Sequence, residues 1–158
     1  MANESYEQRK LVNYLRTLHP DILLFAVPNG GSRTQSQASI LRKEGVLSGV
    51  SDLFIAEPLG EFHGLFLEMK RRKEPGKSRG YLSKTQKEFA RDISIRGYAF
   101  AVGYGFGDAL AKVRMYLQGE HDAYKKTQTS FLTRWSEESR LPGVGPENEG
   151  CQGNLQIA

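Results

Sequence analysis

An α/β domain with a mixed central β-sheet flanked by helices is the architecture this chain predicts, on three observations. Apolar segments of helical period and of strand length follow one another as helix, strand, helix, strand, strand, helix, strand, helix up to Leu117. Capping and turn residues bracket these segments at the right places. Beyond Leu117 the apolar density falls, so the 158 residues divide into a domain over 1–117 and an extension over 118–158.

The first helix opens at Ser5 and Gln8, a capping-box pair, and carries the apolar stripe Leu11, Val12, Leu15 and Leu18 before His19-Pro20 ends it. Glu7 lies four residues before Leu11 and so falls on the stripe rather than opposite it. It is either a first-turn acid favoured by the helix dipole or an inward-pointing ligand. Residues 22–27 form an apolar run of strand length, closed by the dense turn signal Pro28-Asn29-Gly30-Gly31-Ser32. A second helix runs from about Ser36 to Glu44 and stops at Gly45.

Two strands follow, joined by a turn around residues 57–64. A basic loop containing Pro75, Gly76 and Gly80 leads to a helix that Ser83 and Gln86 open as a second capping box and that Gly97 ends. Its apolar face is Phe89, Ala90 and Ile93, and Gln86, three and four residues before the first two, shares that face. Residues 98–103 make the last strand, and Asp108 caps a helix to Leu117. The extension holds a short helix around 131–139, and 142–158 has the composition of a mobile tail. There is no internal repeat.

Composition excludes several function classes. Hydrophobic residues at 39% and charged residues at 25% describe an ordinary soluble globule. No apolar run nears the roughly 20 residues of a membrane span, and the first residues lack a basic-then-apolar signal, which predicts a cytoplasmic protein without membrane contact. A single cysteine, Cys151, excludes an internal disulfide and a cysteine-based zinc site, and His19, His63 and His121 have no ligand spacing. The net charge of +4 is unevenly spread. From Lys70 to Lys87 eight basic residues face one acid, Glu74, whereas from Gln118 onward four basic residues face six acidic ones. Arg71, Arg72, Lys73, Lys77, Arg79 and Lys84 therefore form a candidate phosphate-gripping segment, though a solvated basic loop would look the same.

That segment directly follows the chemically densest part of the chain. Asp52 stands at the mouth of one apolar run, and Glu68 and Lys70 stand at the end of the next. Side chains alternate across a strand, so Glu68 and Lys70 share one face while Leu65, Leu67 and Met69 point to the other. Two carboxylates and an ammonium then converge, and a carboxylate near a core costs several kcal/mol unless it is paired or holds a metal. Mg2+ or Mn2+ needs few protein oxygens when a phosphate supplies the rest: Asp52, Glu68 and the Met69 backbone carbonyl would suffice, with Glu7 as a third carboxylate. Lys70 would stabilise charge at phosphorus or orient the attacking water, and Gln86 would touch water or phosphate. The predicted catalytic set is thus Asp52, Glu68, Lys70, Gln86 and Glu7, with no organic cofactor.

These residues resemble the PD-(D/E)xK nuclease superfamily and, within it, the VRR-Nuc group. The resemblance covers about 4–117 and rests on Glu7, Asn29-Gly30, Gly49-Val50-Ser51-Asp52-Leu53, Glu68-Met69-Lys70, and Leu82-Ser83 with Gln86 and Phe89. Ser51 stands where the superfamily name has proline. The resemblance implies a restriction-endonuclease-like fold and magnesium- or manganese-dependent cleavage of duplex or branched DNA, with Asp52, Glu68 and Lys70 central. Stand-alone members are small, homodimeric, structure-selective nucleases of phage and bacteria, related to Holliday-junction resolvases. Three other readings compete. Gly103-Tyr104-Gly105-Phe106-Gly107 follows a strand as a dinucleotide-binding turn would, but at the wrong end of the domain and without a following acid-bearing strand. A catalytically silent nucleic-acid-binding module would lack an acid or the lysine, and a purely structural ion-pair cluster would be indifferent to chelators.

Overall fold

The computed structural model describes residues 3–28 and 34–119, together with positions 122, 129 and 133. Its order is α1 (Glu4–Leu18), β1 (Leu24–Ala26), α2 (Gln35–Lys43), β2 (Leu53–Ile55), β3 (Leu65–Lys70), α3 (Lys84–Ile95), β4 (Ala99–Tyr104) and α4 (Gly105–Leu117). The four strands lie in the order β1-β2-β3-β4; β1–β2 and β2–β3 are antiparallel and β3–β4 is parallel. The expected mixed sheet and element order are therefore present. Asn29-Gly30 and the tail over 142–158 lie outside the described residues, as does the helix expected over 131–139 apart from Thr133, which is helical.

The sheet divides the interior in two. On one face Leu53, Leu65, Leu67 and Met69 pack with Leu11 and Leu15 of α1 and with Ala109, Leu110, Val113 and Tyr116 of α4. Fully burying side chains of this kind contributes about 1.5–3 kcal/mol each. Tyr116 is fully buried, and its hydroxyl donates to the Glu57 carbonyl at 2.6 Å, which ties the β2–β3 connection to α4. Burial pushes that phenol up to about 12. On the other face α3 lays Ala90, Ile93 and Phe89 over Phe66, Phe100 and Val102. Phe66 sits edge-on to Phe89, with ring centres 5.2 Å apart, and close to Phe54, at 4.4 Å.

Two helix starts differ from expectation. Asn3, not Ser5, caps α1, its side chain accepting from the Ser5 N–H at 3.1 Å. Asn ranks with Ser as a cap, and the choice follows where the chain enters the core. Asp108 lies inside the first turn of α4 and reaches back to accept from the Tyr104 N–H at 2.8 Å, so Tyr104 holds the cap position. At α3 both halves of the box are made: the Ser83 hydroxyl accepts from the Gln86 N–H, and Gln86 Oε1 accepts from the Ser83 N–H at 2.9 Å.

Candidate active site

The β2–β3 register positions the two acids. Leu53 is opposite Leu67, so one step further along the antiparallel ladder Asp52 comes opposite Glu68. The chain bends at Asp52, and its Oδ2 accepts from the Met69 N–H at 2.8 Å. From the other side, the Asp52 carbonyl accepts from the Val27 N–H at 2.9 Å, beyond the end of β1. Asp52 is thereby clamped between β1 and β3.

Gly49 sets how near this turn comes to α3. It has φ +89°, and a Cβ there would lie 2.4 Å from the Thr85 carbonyl oxygen and 2.9 Å from the Gln86 nitrogen. Only glycine permits that approach of backbone to backbone. Three residues beyond it comes Asp52.

Glu68 shares the α3 face of β3 with Phe66 and Lys70, and it is fully buried. Its Oε1 accepts from Lys70 Nζ at 2.6 Å and from Gln86 Nε2. Gln86 is thus used at both ends, its oxygen capping α3 and its nitrogen holding the carboxylate. Oε2 of Glu68 is buried without a hydrogen-bond partner. Burial first, and then the charge of Asp52, push the Glu68 carboxyl up to about 7, against the pull of Lys70. Asp52 is also raised, by burial before all else, against the Met69 N–H and the Lys70 charge. Both acids further feel the carboxylate of Glu4.

Glu4 is the acid that reading the sequence missed. Its Oε1 accepts from the Arg71 N–H at 2.7 Å, where β3 ends. Glu7, expected in this place, instead accepts with Oε2 from the Phe106 N–H at 2.8 Å, at the start of α4. The α4 amides that a dinucleotide pyrophosphate would need are accordingly engaged, Phe106 by Glu7 and Tyr104 by Asp108. Asp52, Glu68, Lys70 and Gln86 come together; Glu7 does not join them. Placing the α1 cap at Asn3 would have put Glu4 in the first helical position and drawn attention to it.

Among the described residues no three His, Cys, Asp or Glu side chains gather as a ready-made metal cage. The orphaned Glu68 Oε2 beside Asp52 nonetheless fits a cation that takes the remainder of its shell from water and substrate.

The basic segment is a short hairpin. The Gly80 N–H donates to the Arg71 carbonyl at 2.9 Å and the Lys77 N–H to the Glu74 carbonyl at 3.0 Å, while Arg71 Nη2 reaches the Ser78 carbonyl at 3.3 Å. Pro75 followed by Gly76, at φ +73°, gives its tip the pattern of a type II turn. Arg71, Arg72, Lys73, Lys77 and Arg79 are exposed along this arm, and Lys84 beyond it is exposed too. Local hydrogen bonds rather than loose chain carry the charges.

No helix among the described residues is long and apolar enough to cross a membrane. No protein-family model and no curated protein matches the chain. Among solved structures it is similar to one described as a VRR_NUC domain protein, at 24% identity and a TM-score of 0.61, over 73% of this chain and 88% of that one. The mixed sheet, its flanking helices and this likeness together give the chain the fold of a VRR-Nuc domain, with Asp52, Glu68 and Lys70 at the end of its central strands.

Proposed function

We propose that this chain is a Mg2+- or Mn2+-dependent endonuclease that hydrolyses DNA phosphodiester bonds. The observation that carries the proposal is the buried, unpartnered Oε2 of Glu68, held opposite Asp52 and beside Lys70. Asp52, Glu68 and the Met69 carbonyl would hold the cation, which would supply a water of lowered pKa and positive charge at the phosphate. Lys70 Nζ, kept in place by Glu68, meets charge developing on the phosphate oxygens or orients the water. Gln86 fixes the Glu68 carboxylate and can turn a donor toward water. Glu7 acts through α4, whose first turn it holds, and Glu4 steadies the strand end at Arg71.

The nuclease domain spans 1–117, with 118–158 as an extension. The arm carrying Arg71, Arg72, Lys73, Lys77 and Arg79, together with Lys84, grips backbone phosphates, which carry no sequence information. Neutralising Arg71, Arg72 and Lys73 together should weaken binding of all DNAs alike and flatten its salt dependence; an unchanged salt slope would remove the arm from the interface. The substrate is branched or duplex DNA of the kind a Holliday-junction resolvase cuts, met by a homodimer in the cytoplasm of a bacterial or phage-infected cell.

The deciding experiment is incubation of the purified protein with labelled duplex, flap and four-way-junction DNA, with and without Mg2+ or Mn2+. Metal-dependent cleavage that Asp52→Ala abolishes is expected. Binding without cleavage under every metal would leave a catalytically silent nucleic-acid-binding module.

A further inference from the structure

The segment between the basic arm and α3 carries a feature that phosphate binding does not use. Tyr81 is among the most exposed large side chains of the described residues, at 69%. Its backbone is nevertheless held on both sides. Gly80 before it bonds to Arg71 and lies against Lys70, a Cβ there falling 3.2 Å from Lys70 carbons. Leu82 after it packs on the α3-side core, and Ser83 caps α3. The ring is thus presented to solvent by fixed backbone next to the catalytic lysine.

Its surroundings are cationic and aromatic. The Arg79 guanidinium lies 5.0 Å from the centre of the Tyr104 ring and 5.9 Å from that of Tyr81. Tyr104 is the β4 register partner of Lys70, and Lys112 Nζ lies 5.5 Å from the centre of the same ring. Arg79 sits closer to Tyr104 than to Tyr81, and Tyr81 keeps most of its surface exposed. Two rings bridged by a guanidinium, alongside a phosphate-cleaving centre, match what a nucleobase needs: a π-surface for stacking and positive charge for its backbone.

We infer that Tyr81, with Arg79 and Tyr104 behind it, is a stacking site for one unstacked nucleobase beside the scissile phosphate. In continuous duplex both faces of each base are covered by neighbours, so a tyrosine can stack only on a base that has left the helix. The substrate class that follows is DNA with an unpaired or frayed nucleotide at the cleavage point, as at flaps, ends and branch points. This rests on the site's being a nuclease centre, and it assigns the choice of substrate to Tyr81 rather than to the phosphate-gripping arm.

The test is metal-free binding, read by fluorescence anisotropy in EDTA, of a labelled single-stranded thymidine oligonucleotide and of the same oligonucleotide made abasic. The protein should bind the base-bearing strand roughly five- to a hundredfold tighter. Tyr81→Ala should erase that preference with no change in the salt slope, and Tyr81→Phe should restore it. Equal binding of both strands by the unaltered protein, a preference that survives in Tyr81→Ala, or failure of Tyr81→Phe to restore it would overturn the inference. Base-blind binding by a protein that cleaves DNA removes the stacking site and leaves the nuclease reading. Base-selective binding by a protein that cleaves nothing does the reverse.

Discussion

Strand β3 shows two chemistries on one backbone. Toward α1 and α4 it presents Leu65, Leu67 and Met69, each buried among aliphatic neighbours. Toward α3 it presents Phe66, Glu68 and Lys70, which pass from aromatic packing to a buried carboxylate and then to a half-buried amine in three alternate positions. The first face is uniform because it has only to exclude water. The second changes character along its length because α3 begins above Glu68: its aromatic contacts lie over Phe66, and its first turn, with Gln86, lies over the acid. Adjacent residues 67 and 68 therefore have similar burial and opposite purposes, and substitutions can separate them.

The largest effect expected is on the α3 face. Asp52→Ala or Glu68→Ala should abolish cleavage while DNA binding, measured on the same preparations, stays largely intact, because the basic arm is untouched and a buried like-charge pair is relieved. Undiminished cleavage by either variant would merge the two faces into one structural role.

Leu67→Ala, one residue away, should instead lower stability by about 2–5 kcal/mol in urea or thermal unfolding, with cleavage per folded molecule preserved. A variant that is fully stable but inactive would break the comparison from the other side.

Lys70→Ala should reduce single-turnover cleavage roughly a hundredfold, the loss expected when one preorganised charge donor is removed. Weaker DNA binding with unchanged single-turnover cleavage would make Lys70 a phosphate anchor.

The smallest effect is on pH dependence. The folded Glu68 carboxyl is raised from its ordinary 4.5 to about 7, so the unfolded chain releases this proton first. The stability contributed by the protonated form is fully present below about 4.5 and is lost as pH rises through about 7, on the order of 1–3 kcal/mol. In EDTA, unfolding should show that decline for the natural chain and lose it in Glu68→Gln. Identical pH slopes in the two proteins would mean that the acid is solvated like any surface glutamate. A cation at the site displaces the same proton, so its affinity should rise over the same interval.

Much of this arrangement is legible in the residues because it depends on local rules. Alternation along 65–70 separates Glu68 and Lys70 from the leucines, and the Ser83–Gln86 box with its apolar followers both starts α3 and turns Gln86 inward. What escapes such rules is set by contacts distant in sequence. Glu4 meets Arg71 across 67 residues, and Glu7 meets Phe106 across 99, so helical phase alone could not say which acid would face which element. The basic segment reads as a loop because its cross-strand bonds, Gly80 to Arg71 and Lys77 to Glu74, leave no periodic trace. The α1 cap is ambiguous in sequence because Asn3 and Ser5 are equally good acceptors; Asn3 takes the role, and Glu4 just after it bonds to the distant Arg71 N–H.

The contact of Gly49 with the first turn of α3 has a consequence for how the chain tolerates change in length. Main chain rests on main chain there, so the gap between the Asp52 turn and the helix that carries Gln86 is gauged by atoms every residue possesses, not by the rotamers of particular side chains. Ser51, between Gly49 and Asp52 in sequence, is itself fully buried, so its size is constrained along with the gauge. Because buried Leu53 and Ile55 hold the β2 register, a single residue inserted or deleted between 49 and 52 would leave Asp52 opposite Glu68 but carry Gly49 off the first turn of α3 and change the gap to Gln86.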